Sequence, residues 1–187
     1  MSIQPSTNAT EGAVYRQAEA TSQHLKGTGM NLPELMMAIL MERSNILQKQ
    51  VEDQMNDMQK RNEWLRDANA ALAAMRVARP EKADSGAVSY GTFTNTKGEQ
   101  VNVHDWMRSN KVEIETKGND KIGIQAEFDA AIQNLKAAID TANTNSQLDM
   151  VRLQGLMDKF NQNNDLLSNS LAKNAKPLET ITNNIRG

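Results

Sequence analysis

The chain has 187 residues, a formal net charge of −2, 39% hydrophobic, 4% aromatic and 24% charged residues. So few large side chains cannot fill a broad core, and a near-neutral charge exerts no global pull on nucleic acid or anionic membrane, which disfavours a compact α/β enzyme and a nucleic-acid-binding protein. With no Cys there are no disulfides or thiolate metal sites, and eleven Met with abundant Asn and Gln fit an elongated helical protein with a narrow seam.

Residues 1–30 are rich in Ser, Thr, Gln, Ala and Gly. Such a segment buries too little apolar surface to offset its ordering entropy, so it is expected to be a disordered tail. It lacks the basic start and continuous apolar run of a Sec signal peptide. The longest apolar run, Leu35 to Met41, is far too short to span a bilayer, so no direct membrane insertion is expected.

The first long helix is predicted over residues 31–79. Asn31 is a candidate N-cap with Glu34 completing a capping box, Met30 and Leu35 form a hydrophobic staple, and Pro33 sits in the first turn. No Pro or Gly follows until Pro80, which leaves about 48 residues, or roughly 72 Å of unbroken helix. Leu35, Met36, Ile39, Leu40, Ile46 and Leu47 make a wide apolar stripe, with Met37 and Met41 beside it. Further on, Val51, Met58, Leu65 and Leu72 hold a period of seven, flanked by Met55, Ala68 and Met75. The N-terminal half is therefore expected to meet more than one helix, and the C-terminal half to form a plain two-helix seam.

Residues 80–120 read as a small mixed α/β insert. Ala87 to Thr94 is predicted extended, Asn95-Thr96-Lys97-Gly98 is a turn, and Val101 to Asn110 holds a short helix with Trp106 and Met107. The alternation Lys111-Val112-Glu113-Ile114-Glu115 predicts a strand, and Lys117 to Asp120 a second turn. A unit of this size does not fold alone and is expected to pack on the helices.

The second long helix is predicted over residues 121–187, beginning between Asp120 and Gln125 and kinked or interrupted at Pro177. Ile132, Ile139, Ser146, Leu153, Phe160, Leu167, Asn174 and Ile181 recur every seven residues. Leu135, Ala142 and Leu156 flank this line on one side, and Met150, Met157, Leu171, Leu178 and Ile185 on the other. An apolar line with that period must be buried against another helix. The fold class is thus mainly α: two long antiparallel helices in a coiled-coil hairpin, a mixed insert between them and a disordered N-terminus. The polar seam residues Ser146, Asn163 and Asn174 either fix register or mark places where the hairpin is exposed.

Candidate chemistry is sparse. His24 lies in the tail, and His104 beside Asp105 has no third ligand or nucleophile at a meaningful spacing, so neither a metal, a cofactor nor a catalytic role is assigned. Glu42, Glu52, Asp53, Asp57, Glu63 and Asp67 interleave with Arg43, Lys49, Lys60, Arg61 and Arg66 as a solvated helix face. Trp64 and Trp106 read as packing anchors. No basic patch with interleaved aromatics points to nucleic acid. The surplus of Met around Leu35 to Met41 exceeds the needs of one two-helix seam, and that stretch is expected to be buried between subunits.

Three local matches give the chain a resemblance. Leu135-Lys136-Ala137-Ala138-Ile139-Asp140 is similar to a Lys-Ala-Ala-aliphatic element in the second helix of the type III secretion translocator-filament proteins of the EspA/SseB family. Asn145-Ser146-Gln147-Leu148-Asp149 resembles the Asn-Ser-Gln-Leu-acidic element that follows it there. Trp106-Met107-Arg108-Ser109-Asn110, then Val112 and Ile114, resembles an aromatic segment before an alternating strand. The likeness spans roughly residues 30 to 175 in order. The spacing between the first two elements is about one heptad shorter here, which keeps the seam in register. The insert around Tyr90 to Val103 does not align.

The resemblance implies export through a bacterial type III apparatus, with residues 1–30 as a secretion-competent tail, and polymerisation into an extracellular filament or sheath at the needle tip that conducts effector proteins to a host cell. It also implies a cognate secretion chaperone, bound in the cytoplasm before export, and contact with the needle protein and pore-forming translocators. The chain is then a non-enzymatic, secreted cell-surface protein whose chief partner is itself. Self-assembly is expected through Leu35, Ile39, Leu40 and Ile46 on the first helix and Leu153, Phe160, Leu167 and Leu171 on the second. The alternatives are a needle-tip cap forming a closed ring and an intracellular coiled-coil adaptor or chaperone.

Overall fold

The computed structural model describes residues 32–114 and 120–185, with side chains through residue 173. The expected tail, the Asn31 cap, the Met30 staple, the Lys117 turn and the seam side chains from Asn174 onward lie outside the described residues. The fold is mainly helical, with two long helices and a small stranded insert. In chain order the elements are α1 (Leu32–Ala78), β1 (Val88–Ser89), β2 (Thr92–Thr94), β3 (Gln100–Asn102), α2 (Val103–Ser109), β4 (Ile122–Gly123) and α3 (Gln125–Ile185). The chain divides into two compact units, one of residues up to Asp53 together with Leu153 onward, the other Gln54–Arg152.

The unit Gln54–Arg152 carries the main core. Its α1 portion ends where Pro80 removes a donor and bars continuation; the Arg79 N–H makes the last helical bond, to the Met75 carbonyl at 2.9 Å. Buried residues recur three and four apart: Ala68, Leu72 and Met75 on α1, and Phe128, Ile132, Leu135 and Ile139 on α3. Arg79 pairs with Asp129 and Arg61 with Asp149, so the two helices run antiparallel here.

This half of α1 is not the plain two-helix seam its heptads predict. Tyr90, Phe93, Val103, Trp106, Met107 and Val112 of the insert share the same core. The small side chains of Ala68 and Ala71, fully buried, leave room for the insert to close on the helix. Aromatic rings then fill the layer. Tyr90 stacks on Phe128 at 4.6 Å, Phe93 meets Trp106 edge-on at 5.8 Å, and Trp64 lies 5.8 Å from Trp106. The two tryptophans are the packing anchors expected of them.

The insert holds two short antiparallel pairs. In one, β1 joins β4, with Val88 opposite Gly123 and Ser89 opposite Ile122; in the other, β2 joins β3, with Phe93 opposite Val101. The β2–β3 turn is the predicted Asn95–Gly98. Gly98 takes φ +81 and donates to the Asn95 carbonyl, while the Asn95 side chain accepts from the Lys97 and Glu99 N–H groups. Gly123 is required by packing: a Cβ there would lie 2.3 Å from the Tyr90 hydroxyl.

The strand predicted over Lys111 to Glu115 does not form across the described residues 111–114. Asn110 caps α2, Lys111 adopts φ +58, and the Val112 and Lys111 N–H groups return to the Met107 and Arg108 carbonyls. This is a Schellman motif, with the buried pair Met107 and Val112 as its hydrophobic contact. The cap uses the donors that a ladder would need. Val112 and Ile114 still turn toward the core, so the alternation reported burial correctly and conformation wrongly.

In the other unit, α1 contributes residues 32–53 and α3 residues 153–185. Pro33 occupies the first turn of α1, where its missing N–H costs little. Pro177 does not interrupt α3, which runs on to Ile185. Pro177 has no N–H to donate to the Lys173 carbonyl, and because Lys173 is exposed water can satisfy that group.

Candidate assembly site

The two-helix unit has almost no interior. Leu40, Leu47 and Asn163 are its buried residues among those described. Of the residues predicted to drive assembly, Leu35, Ile39, Ile46, Leu153, Phe160 and Leu167 are half-buried, and Leu171 is 46% exposed. Leu40 is buried within the chain, so it serves the seam of the monomer. Two helices cannot enclose a wide apolar stripe, and Met36 and Met41 remain half exposed on α1.

Burial along both helices follows alternating steps of three and four. On α3 of this unit the line is Leu153, Leu156, Phe160, Asn163, Leu167 and Ser170; on α1 Met37, Leu40, Ser44, Leu47 and Val51 follow the same steps, and Leu35, Ala38, Ile39, Glu42, Ile46 and Gln50 beside them are half-buried as well. The second line of the α3 seam is thus the Leu135–Ala142–Leu156 flank. The Met150, Met157 and Leu171 flank is exposed, at 60%, 41% and 46%. Apolarity alone did not separate the two, because the buried line also carries Asp149 and Asn163. On α1, Met55 is 56% exposed and Gln54 takes the half-buried place.

Asn163 resolves the question its polarity raised. It is fully buried, donates from Nδ2 to the Leu40 carbonyl at 2.9 Å, and leaves Oδ1 without a partner among the described residues. Beside it, Ser44 donates to the Asn164 side chain at 3.1 Å. The Asn163 bond goes to a backbone carbonyl, which each turn of α1 offers, whereas the Ser44–Asn164 contact joins two side chains and is lost if the helices slip by a turn, so it is the contact that favours this pairing. Ser146, in the other unit, is half-buried.

The unit Gln54–Arg152 has its own polar layer. Arg61 does not belong to the solvated face; it occupies a seam position and forms an ion pair with Asp149, whose side chain is only 6% exposed. Arg152 approaches the same carboxylate at 3.7 Å. The clue in the sequence was positional: Arg61 lies three residues after Met58 and four before Leu65, on the line of the seam.

Two surface pairs tie the insert region. Arg79 binds Asp129 through two bonds of 2.7 and 2.8 Å, and this bond chiefly holds the Asp129 carboxyl below the usual carboxylate range and raises Arg79. Asp105 is lowered first by the Lys121 ammonium at 2.5 Å and then by His104 at 3.3 Å. His104 itself is buried, 6.2 Å from the Tyr90 ring. Among the described residues no cluster of three His, Asp or Glu is placed to hold a metal ion, and no helix is long and apolar enough to cross a membrane.

Compared with known families, curated proteins and solved structures, the chain matches no family model, no curated protein and no solved structure.

Proposed function

We propose that the chain is a non-enzymatic structural protein of a bacterial type III secretion apparatus, whose two long helices form an antiparallel coiled-coil hairpin and self-assemble into an extracellular filament at the needle tip. The observation that carries this reading is the incomplete burial of the two-helix unit: Leu35, Ile39, Ile46, Leu153, Phe160 and Leu167 stay partly in water, and Leu171 is exposed. Several large aliphatic and aromatic side chains each lose roughly 1 kcal/mol or more when left half-solvated, and association recovers that energy. The alternating three-and-four burial supports the coiled coil. The same exposed surface calls for a cognate chaperone in the cytoplasm before export, and the three local sequence likenesses supply the secretion context, the needle protein and the pore-forming translocators.

The reading is tested by expressing the chain in a bacterium with an intact type III apparatus and in an isogenic strain lacking the export ATPase. Apparatus-dependent recovery of the chain from the cell surface in polymeric form is expected. Equal retention in the cytoplasm of both strains refutes it in favour of the intracellular adaptor.

A further inference from the structure

We infer that one edge of the two-helix unit, formed by Met41 on α1 and Met157 and Leu171 on α3, is where two copies of the chain join side by side as a closed pair. The inference rests on the self-assembly reading and adds to it the face used and the geometry of the first step.

The edge follows from the heptad count. With Met37, Ser44 and Val51 in one seam line of α1, and Leu153, Phe160 and Leu167 in one seam line of α3, the residues four places after each lie on the same flank of their helix. In an antiparallel pair these two flanks form one edge. It holds Met41 and Gln48 from α1 and Met157, Asn164 and Leu171 from α3; Glu34, in the first turn, is the sole charge before it. Met41, Met157 and Leu171 are 50%, 41% and 46% exposed.

The opposite edge differs in kind. Its positions are Met36, Arg43 and Gln50 on α1 and Lys159, Leu166 and Lys173 on α3. Three cations and no carboxylate stand there. Flanking positions of a solitary two-helix coil are commonly charged, whereas an apolar flank added to the seam is the pattern of a helix that meets more than one neighbour. The Met41 edge has that pattern with Glu34, in the first turn, as its one charge.

The charge distribution also selects the occupant. Two copies of the Met41 edge each bring one carboxylate, Glu34 at the end of the edge, whereas two copies of the opposite edge each bring three cations spread along it and repel. An edge with one charge at its end offers little to attract a charged foreign helix, and flexible Met side chains adapt to one another across a two-fold axis. An edge that pairs with itself closes as a dimer and does not propagate. A filament would therefore be built from such pairs through other surfaces, the half-buried Ile39 and Ile46 stripe being available for that.

Sedimentation equilibrium of the purified full chain, wild type beside Met41→Lys, Met157→Lys, Leu166→Lys and Met36→Lys, tests the inference, with far-UV circular dichroism to show that each variant is folded. All four positions are exposed, so the fold should survive. Met41→Lys and Met157→Lys should weaken the monomer–dimer step by roughly tenfold or more, and Leu166→Lys and Met36→Lys should leave it within about twofold. Wild-type protein that assembles while the edge variants assemble equally well overturns the edge and leaves the self-assembly reading standing. Opposite-edge variants that weaken pairing as much also overturn it. Wild-type protein that stays monomeric up to high concentration overturns both.

Discussion

Replacing Arg61 by Met isolates the polar layer of the Gln54–Arg152 unit. Asp149 is 6% exposed at its side chain and depends on Arg61; Arg152 stands farther off at 3.7 Å and is itself 63% exposed. Removing one partner of a buried pair costs about 3–5 kcal/mol because the other charge is left desolvated. Here Arg61 is 29% exposed and Arg152 can turn in, so the expected loss is smaller, about 2 kcal/mol. The double variant Arg61→Met/Asp149→Leu removes both charges from the seam and should return to within about 1 kcal/mol of wild type, or exceed it. The assay is urea unfolding followed by circular dichroism, comparing midpoints at an unchanged slope. The reasoning is wrong if Arg61→Met alone is neutral, or if the double variant is as unstable as the worse single one.

Three further outcomes are expected. Gly123→Ala places a methyl group into the Tyr90 phenol and should cost about 1–3 kcal/mol of stability, with a Tyr90→Phe background relieving part of it; equal stability to wild type would show that Tyr90 is free to move. Lys111→Gly removes a side chain from a left-handed position and should raise stability by about 0.5–1 kcal/mol in the same urea assay, a fall indicating that the lysine side chain stabilises the cap by more than its backbone strain costs. Asp105 and Asp129 are both held below their ordinary range when folded, so their contribution is fully present above the unfolded value of about 4 and is lost as pH falls through the lower folded values. Arg79→Gln should therefore be less stable than wild type at neutral pH and converge on it in acid, as thermal melts across that range would report.

Much of the fold was legible because long helices announce themselves through breakers and period. Pro80 ended α1, the Asn95–Gly98 turn lay where its residues required, and Trp106 marked α2. What escaped the sequence was long-range. Gly123 falls inside the stretch from Asp120 to Gln125 where the second helix is predicted to begin, and its reason is the Tyr90 ring, more than thirty residues earlier in the chain. The Lys111 to Glu115 alternation was overridden by a cap bond that depends on α2 ending at Asn110. Of the assembly candidates, Leu40 is buried in the chain's own seam, Leu153, Phe160 and Leu167 lie half-buried along it, Leu35, Ile39 and Ile46 are half-buried on α1, and Leu171 is exposed. Apolar character placed Leu40 and Ile39 together; only the partner helix, through Asn163, decides which of them faces inward.

Negative-stain electron microscopy of the purified chain over a rising concentration series, with light scattering on the same samples, tests the central claim most directly. Fibres of uniform width that lengthen with concentration, and that Ile39→Asp and Ile46→Asp each abolish without loss of helicity, are the predicted result. A particle of fixed size at every concentration, whether dimer or small ring, would contradict the filament.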